Sequence, residues 1–275
     1  PFMRSMEIES GLQDGQILQR LASGHADVLL CGRCPESGRL RVTIRGKGKA
    51  LAGWKRKEAG QARRGRLSIK LEGLPAGGPY ELILEEESGR YKAVAHQFYV
   101  GDVWILAGQS NMEGAGHLPG FSKPHPLVRA FSQRREWRLA EDPLHVHVES
   151  PDACHNHGNQ ISPDLAEAWR KRAPVGAGAG IPFGKEMFKR TGVPQGLICV
   201  ARGGSPMSLW DQKDPAQLYA SMLASIRATG QPVAGMLWYQ GESDTSAEGA
   251  EVYTEKMKSL VAALRHDLRQ PRLPW

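Results

Sequence analysis

Residues 101–116 read Gly-Asp-Val-Trp-Ile-Leu-Ala-Gly-Gln-Ser-Asn-Met-Glu-Gly-Ala-Gly, and the fold turns on them. A short apolar run, Val103 to Ala107, stops at Gly108-Gln109-Ser110-Asn111. Apolar runs of this length bounded by turn residues read as buried strands. A serine just past such a strand, among small and amide neighbours, sits where a nucleophile would. The pattern recurs twice. Gly196–Ala201 runs into Arg202-Gly203-Gly204-Ser205, and Val233–Tyr239 runs into Gln240-Gly241-Glu242-Ser243. In a parallel α/β sheet the three ends share one edge, where open α/β sheets bind ligands. That edge would offer a hydroxyl, glycine turns with free backbone N–H groups, and a carboxamide. These are parts for acyl transfer, a nucleophile with donors for an oxyanion.

On either side of this stretch the periodicity differs. Residues 1–100 alternate with period two: Leu40, Val42 and Ile44; Leu67, Ile69 and Leu71; Tyr80, Leu82 and Leu84; and Val94, His96, Phe98 and Val100. Turn residues such as Pro75-Ala76-Gly77-Gly78-Pro79 separate them, which predicts a small antiparallel β-sandwich. Residues 101–275 alternate strand and helix, the signature of α/β with a mostly parallel sheet. Leu218, Tyr219, Met222, Leu223 and Ile226 form one helical apolar stripe. Tyr253, Met257, Leu260, Val261, Leu264 and Leu268 form a longer one, and both read as core faces. Phe121 to Pro163 shows neither period and is rich in His and Pro, so it is expected to be a long irregular segment roofing the site. Gly176-Ala177-Gly178-Ala179-Gly180 fails the dinucleotide fingerprint, because Ile181 stands where the third glycine belongs and no strand precedes it. It reads as a glycine turn feeding a helix at Pro182-Phe183.

Composition narrows the classes. With 275 residues, 40% of them hydrophobic, the chain can bury a core in each of two domains. No apolar run approaches the ~20 residues of a membrane helix. The net charge is +7, concentrated between Arg45 and Arg66. No aromatic interleaving or nucleic-acid module accompanies it, so this segment reads as a solvated surface and no nucleic-acid partner is expected. Cys31-Gly32-Arg33-Cys34 lacks the second pair that a zinc site needs, and reads as strand thiols. Cys154-His155-Asn156-His157 crowds its ligands on a loop, so no metal is expected there either.

The blocks G-Q-S-N-M (108–112), G-G-S-P-M-S-L-W (203–210) and W-Y-Q-G-E-S-D (238–244), in this order, resemble the first three blocks of the SGNH hydrolases. Within that superfamily they are most similar to the sialate O-acetylesterase and acetylxylan-esterase-like branch. The likeness covers residues 100–275. It extends more loosely to Leu12–Arg20, which is similar to the opening of the β-rich leading domain of that branch. The resemblance implies a flavodoxin-like three-layer sandwich around a central parallel sheet, preceded by the β-sandwich domain. It implies a serine esterase that removes O-acetyl groups from carbohydrates, sialate or another acetylated glycan, through an acyl-enzyme on Ser110. It implies no metal or organic cofactor.

By the same resemblance the oxyanion donors are the backbone N–H groups of Ser110 and Gly203 and the side-chain amide of Gln240. Gln109, Asn111 and Glu242 border the substrate, with Glu242 bracing the adjacent turn. Asn111-Met112 after the serine departs from the G-x-S-x-G elbow and argues against an α/β-hydrolase. The family's base comes from a late D-x-x-H block. The one such block in this chain, Asp142-Pro143-Leu144-His145, stands between the first and second motifs, where similar segments are non-catalytic. His117 lacks a carboxylate partner in sequence, and His266 lies at the polar end of the last helix. The catalytic His and Asp are therefore expected beyond Trp275. A catalytically silent carbohydrate-binding relative and a lysophospholipase-like SGNH esterase are the alternatives. The particular sugar, the compartment and the oligomeric state are left open by the sequence.

Overall fold

The structure is a computed structural model and describes residues 5–117, 122–156 and 175–275, with Asp164, Glu167, Ala168 and Lys171 between them. The chain divides into two compact units, Pro1–Asp102 and Val103–Trp275, and the whole is mixed α/β.

The described residues of the first unit form strands and no helix. The strands are β1 (Glu7–Ser10), β2 (Ile17–Gln19), β3 (His25–Arg33), β4 (Gly38–Gly46), β5 (Lys49–Ala50), β6 (Lys57–Arg63), β7 (Arg66–Pro75), β8 (Gly77–Glu86) and the first part of β9 (Lys92–Gly108). The hydrogen-bonded path runs β1-β3-β7-β6-β4-β8-β9, with β2 added to β9 and β5 to β4. Within it β6 is the corner. It meets β7 only through Ala62 and Arg63, then pairs with β4 from Gly38 to Val42. The inward residues of β3, β4, β7 and β8 make one apolar core around Leu30, Leu40, Ile44, Leu82 and Phe98. Period-two side chains pack this way because successive residues point to opposite faces.

One stretch changes phase. Val94 and His96 face solvent, while Ala93, Ala95, Phe98 and Val100 are buried. Opposite Tyr80–Leu82 the partners are Phe98 and Ala95, so β9 carries one extra residue there. Gln97 has φ +50°, and a bulge of this kind switches which face later residues occupy.

In the second unit, Val103–Gly108 is the middle strand of a small sheet. On one side lies β15 (Gly235–Tyr239), parallel and in register from Trp104 to Gly108. On the other lies β14 (Gln195–Cys199), followed by β11 (Val128–Phe131), parallel to it, and β12 (Trp137–Leu139), antiparallel. The three motif-bearing strands are therefore adjacent. Val128–Phe131 falls within the segment expected to be irregular. There the described residues form a strand of the sheet itself, and residues 157–163 of that segment lie outside the described ones.

The α-helices described in this unit are α1 (Ser110–Glu113), α2 (Ala153–Asn156), α3 (Gly180–Thr191), α4 (Leu218–Ala228) and the long α5 (Ala247–Asp267). The glycine segment begins as a strand and not as a turn: Val175–Ala177 (β13) pairs with Gly116–His117 (β10), and the helix that follows, α3, starts at Gly180. Gly180 and Gly184 let α3 lie flat on the sheet, since a Cβ on either would come within 2.6 to 2.7 Å of Leu106, Leu144 or Val128. The helix ends at Gly192, left-handed with φ +71°, whose N–H closes on Phe188. The α4 stripe is fully buried as expected. Of the α5 stripe only Leu260 and Leu264 are, and Tyr253, Met257 and Val261 remain half-buried. Ser246 caps α5 by accepting the Gly249 N–H. Among the described residues no helix is long and apolar enough to cross a membrane.

Candidate active site

Backbone hydrogen bonds knit the three strand ends together. The Arg202 N–H donates to the Gly108 carbonyl at 3.0 Å, and the Gln109 N–H donates to the Tyr239 carbonyl at 2.8 Å. Gly108 has φ +125°, and a Cβ there would lie 2.1 Å from the Tyr239 oxygen, so only glycine fits this crossing. The chain turns at Gln109 into α1. The Gln109 carbonyl accepts from Met112 and Glu113, and its buried side-chain Oε1 accepts the N–H groups of Gly241 (3.4 Å) and Ser243 (3.2 Å). A buried glutamine thus fastens the first motif to the third.

Ser110 is the first residue of α1 and is partly exposed. Among the described residues neither its hydroxyl nor its backbone N–H has a hydrogen-bond partner. Asn111 donates to Glu242 Oε1 at 2.6 Å across the mouth of the site. Both N–H bonds of the Gln240 amide are engaged, one to the Ser205 carbonyl (3.1 Å) and one to Asp244 (2.6 Å), while its Oε1 accepts from Tyr253 OH at 2.9 Å. The Gly203 N–H donates to the Glu113 carboxylate. All six residues singled out from the motifs are thus at one sheet edge, with Gly203 and Gln240 already holding internal partners.

Behind Ser110 lies a buried polar wall that the motifs did not announce. Glu113 Oε1 is 2.7 Å from His147 Nε2. His147 Nδ1 and His155 Nδ1 both face the Gln133 amide nitrogen, at 3.1 and 3.2 Å, and the two imidazoles stack. His145 Nδ1 donates to the Glu113 carbonyl at 2.9 Å. Burial would push the Glu113 carboxyl up, but the His147 hydrogen bond and charge, then His145 and the Gly203 N–H, hold it below its ordinary value. Burial pushes His145 down to about 4 and His155 well below the ordinary imidazole range. Burial also pushes Asp142 up to about 7, opposed by the N–H groups of Gly178 and Leu144. The one signal in the sequence was the i, i+3 spacing of Ser110 and Glu113, which places them as neighbours on a helical turn.

No described histidine hydrogen-bonds Ser110. His145 is 1% exposed and bound to Glu113, His117 is an exposed partner of Val175, and His266 pairs with Asp267 at the surface. Among the described residues no three His, Cys, Asp or Glu side chains could hold a metal. Cys154 is a free, half-buried thiol that burial pushes up, and His157 lies outside the described residues. Cys31, on β3, and the buried Cys34 are also free.

The chain is similar to a probable carbohydrate esterase of Arabidopsis thaliana, at 29% identity over 62% of this chain and 66% of that protein. Human sialate O-acetylesterase matches at 24% identity over 64% of this chain and 38% of its own length. The chain thus spans under two thirds of both curated relatives. Among solved structures, a carbohydrate acetylesterase from Xanthomonas citri superposes with a TM-score of 0.58 at 24% identity, covering 98% of this chain and 59% of that one, and so shares the fold. The Arabidopsis crystal structure superposes with a TM-score of 0.50 at 28% identity, over 63% of this chain and 71% of its own. The sequence model of the carbohydrate esterase, sialic acid-specific acetylesterase family matches residues 100–275. With the three motifs gathered at one sheet edge, this chain belongs to that family.

Proposed function

We propose that residues 101–275 form an SGNH-type carbohydrate O-acetylesterase domain with Ser110 as nucleophile, and that residues 1–100 are its β-sandwich-like leading domain. The observation that carries the reading is that, among the described residues, the Ser110 hydroxyl and N–H have no hydrogen-bond partner where three motif-bearing strands end side by side. The order of the motif strands, with Val103–Gly108 between its two neighbours, supports a flavodoxin-like sheet.

A general base takes the Ser110 proton and later returns it to the leaving sugar oxygen. The resemblance assigns that base to the His of a D-x-x-H block, a role that no described histidine fills. As the proton passes to the base, Ser110 Oγ attacks the acetyl carbon, and the carbonyl electrons move onto oxygen. The N–H groups of Ser110 and Gly203 and the amide of Gln240 receive that oxyanion, which requires Gly203 and Gln240 to exchange their internal acceptors for it. Collapse expels the sugar hydroxyl and leaves acetyl-Ser110. Water then attacks the acyl-enzyme through a second tetrahedral intermediate and releases acetate. Each such donor contributes roughly 3–4 kcal/mol to the barrier reduction. Asn111, Glu242 and Gln109 shape the rim that receives an acetylated glycan, and the reaction calls for no cofactor.

The test is covalent labelling by a fluorophosphonate probe together with turnover of p-nitrophenyl acetate and acetylated sialic acid, for the wild type and Ser110→Ala. Label on Ser110 and turnover lost in the variant support the esterase. Equal glycan binding by both proteins, with neither labelled nor turning over, replaces it with a silent binding relative.

A further inference from the structure

The acceptor that the Gly203 N–H must give up for the oxyanion is the carboxylate of Glu113. Glu113 ends the helical turn that Ser110 begins. One carboxylate oxygen accepts the Gly203 N–H and the other faces His147. The seat for this carboxylate is built. The Glu113 side chain is 19% exposed and His147 3%, and His147 is itself held by Gln133 and stacked on His155. A Cβ at position 203 would lie 2.4 Å from Glu113 Oε2, so a side chain there would push the carboxylate aside. An anionic oxygen on that N–H has the charge and acceptor character of the oxyanion of a tetrahedral intermediate.

We propose that Glu113 is a resident occupant of the anion position beside Ser110, holding the Gly203 N–H while no ester is bound and yielding it when the oxyanion forms. The proposal rests on the reading of Ser110 and Gly203 as nucleophile and donor. One N–H cannot serve two anionic acceptors fully, and like charges in a partly buried site repel. The carboxylate therefore withdraws as the oxyanion arrives, and His147 Nε2, already 2.7 Å from its other oxygen, is the contact that retains it. Glu113 is a positioning residue in this scheme, because it acts through the Gly203 peptide and touches no substrate. It follows that removing the carboxylate opens an anion-sized space on the Gly203 N–H, which a small free carboxylate can fill.

The experiment follows the Gly203 amide by NMR in the 275-residue chain, with sodium acetate as probe. Labelled arginine and glycine leave only the three Arg-Gly peptides 45–46, 64–65 and 202–203, and the signal lost in Gly203→Ala assigns the last. In the wild type the amide proton is expected downfield and indifferent to acetate. In Glu113→Ala it moves upfield, and acetate returns it downfield saturably. In Glu113→Gln, which keeps the side-chain volume but offers a neutral acceptor, it lies between the two and serves as the comparison should the alanine variant melt early. A Gly203 proton unmoved in the variants, or one that ignores acetate in a folded Glu113→Ala protein, overturns the proposal. The readout is a peptide group and not turnover, so the two readings fail separately. If wild type and Ser110→Ala are equally inactive, the esterase is lost, while a Gly203 amide that answers to Glu113 and acetate still supports the occupant.

Discussion

The two units treat charge in opposite ways. In the first, ionisable groups stay at the surface or are answered at once. Asp102 takes a two-pronged hydrogen bond from Arg20 at 2.8 and 2.9 Å, and buried Glu86 accepts the Ser88 N–H at 2.9 Å. Its core is apolar, and its strands alternate apart from bulges such as the one at Gln97. In the second, Glu113, His145, His147 and His155 are gathered near a serine whose hydroxyl has no hydrogen-bond partner among the described residues. Stability alone does not ask for this, because buried charge is costly unless paired. Ionisable groups clustered by burial at a sheet edge mark the working region of a protein, and here they coincide with the motifs.

The largest effect expected from breaking this contrast is chemical. Ser110→Ala deletes one oxygen of a partly exposed residue that hydrogen-bonds no described residue, so the melting temperature should stay within a degree or two while Ser110-dependent turnover goes. Where a serine works with a base, its loss costs on the order of 10⁴–10⁶-fold. Unchanged p-nitrophenyl acetate turnover in the variant would remove Ser110 from the mechanism.

Next come two glycines, one in each unit, both with positive φ. Gly108→Ala would press a Cβ against the Tyr239 oxygen at 2.1 Å, whereas at Gly24 (φ +81°) a Cβ meets nothing within 4 Å. Gly24→Ala should cost only the left-handed backbone penalty, about 1–2 kcal/mol. Gly108→Ala should cost about 4 kcal/mol or more, because backbone must move as well, and it should abolish fluorophosphonate labelling. Chemical denaturation of both variants measures the difference, and equal costs would mean that the crossing of the first and third motifs is not tight.

This pair also shows what the sequence carries. A glycine closing an apolar run announces a tight strand end, so all three motif strands were legible, as was the α4 stripe, with five apolar residues at helical spacing. The strand Val128–Phe131 was not, because four residues, one of them Arg129, are too few to display a period. The phase change at Gln97 escaped for a related reason, since a bulge needs only one extra residue. Glu113 meeting His147 across 34 positions is a product of tertiary packing, and no local spacing encodes it. The hydrogen bonds that occupy Gly203 and Gln240 were equally invisible, because a motif names its residues and not their resting partners.

A third prediction uses pH to separate the buried groups. Asp142 is raised to about 7, so between its unfolded value near 4 and that point the native state binds more protons than the unfolded chain. Stability from this group is present at low pH and is lost as pH rises through the window. His145, lowered to about 4 from an ordinary value of 6.5, acts in the other direction, and its contribution is lost as pH falls from about 6.5 toward 4. His155, pushed well below the ordinary imidazole range by burial, adds a slope of the same sign as His145, so Asp142 offsets only part of the rise in stability between pH 4 and 6.5. Asp142→Asn should remove that offset and steepen the rise of stability with pH by up to about 1.4 kcal/mol per unit relative to the wild type. Denaturation midpoints at half-unit steps decide it, and an Asp142→Asn profile parallel to the wild type would mean that Asp142 is ionised throughout.

The smallest effect belongs to the surface charges of the first unit. Glu85 receives Arg56 at 3.1 Å and Lys92 at 3.2 Å, and both cations are about half exposed. Exposed pairs gain little because water screens them and two long side chains must be held still. Glu85 itself is only 14% exposed, which places it at the upper end of that class. Glu85→Gln keeps the shape and removes the charge, so it should cost about 1 kcal/mol or less. Molar salt, where screening acts within ~3 Å, should shrink even that. A loss of about 3 kcal/mol, insensitive to salt, would instead be the signature of a buried pair. The first unit would then bury charge as the second does, and the contrast between them would no longer single out the serine edge.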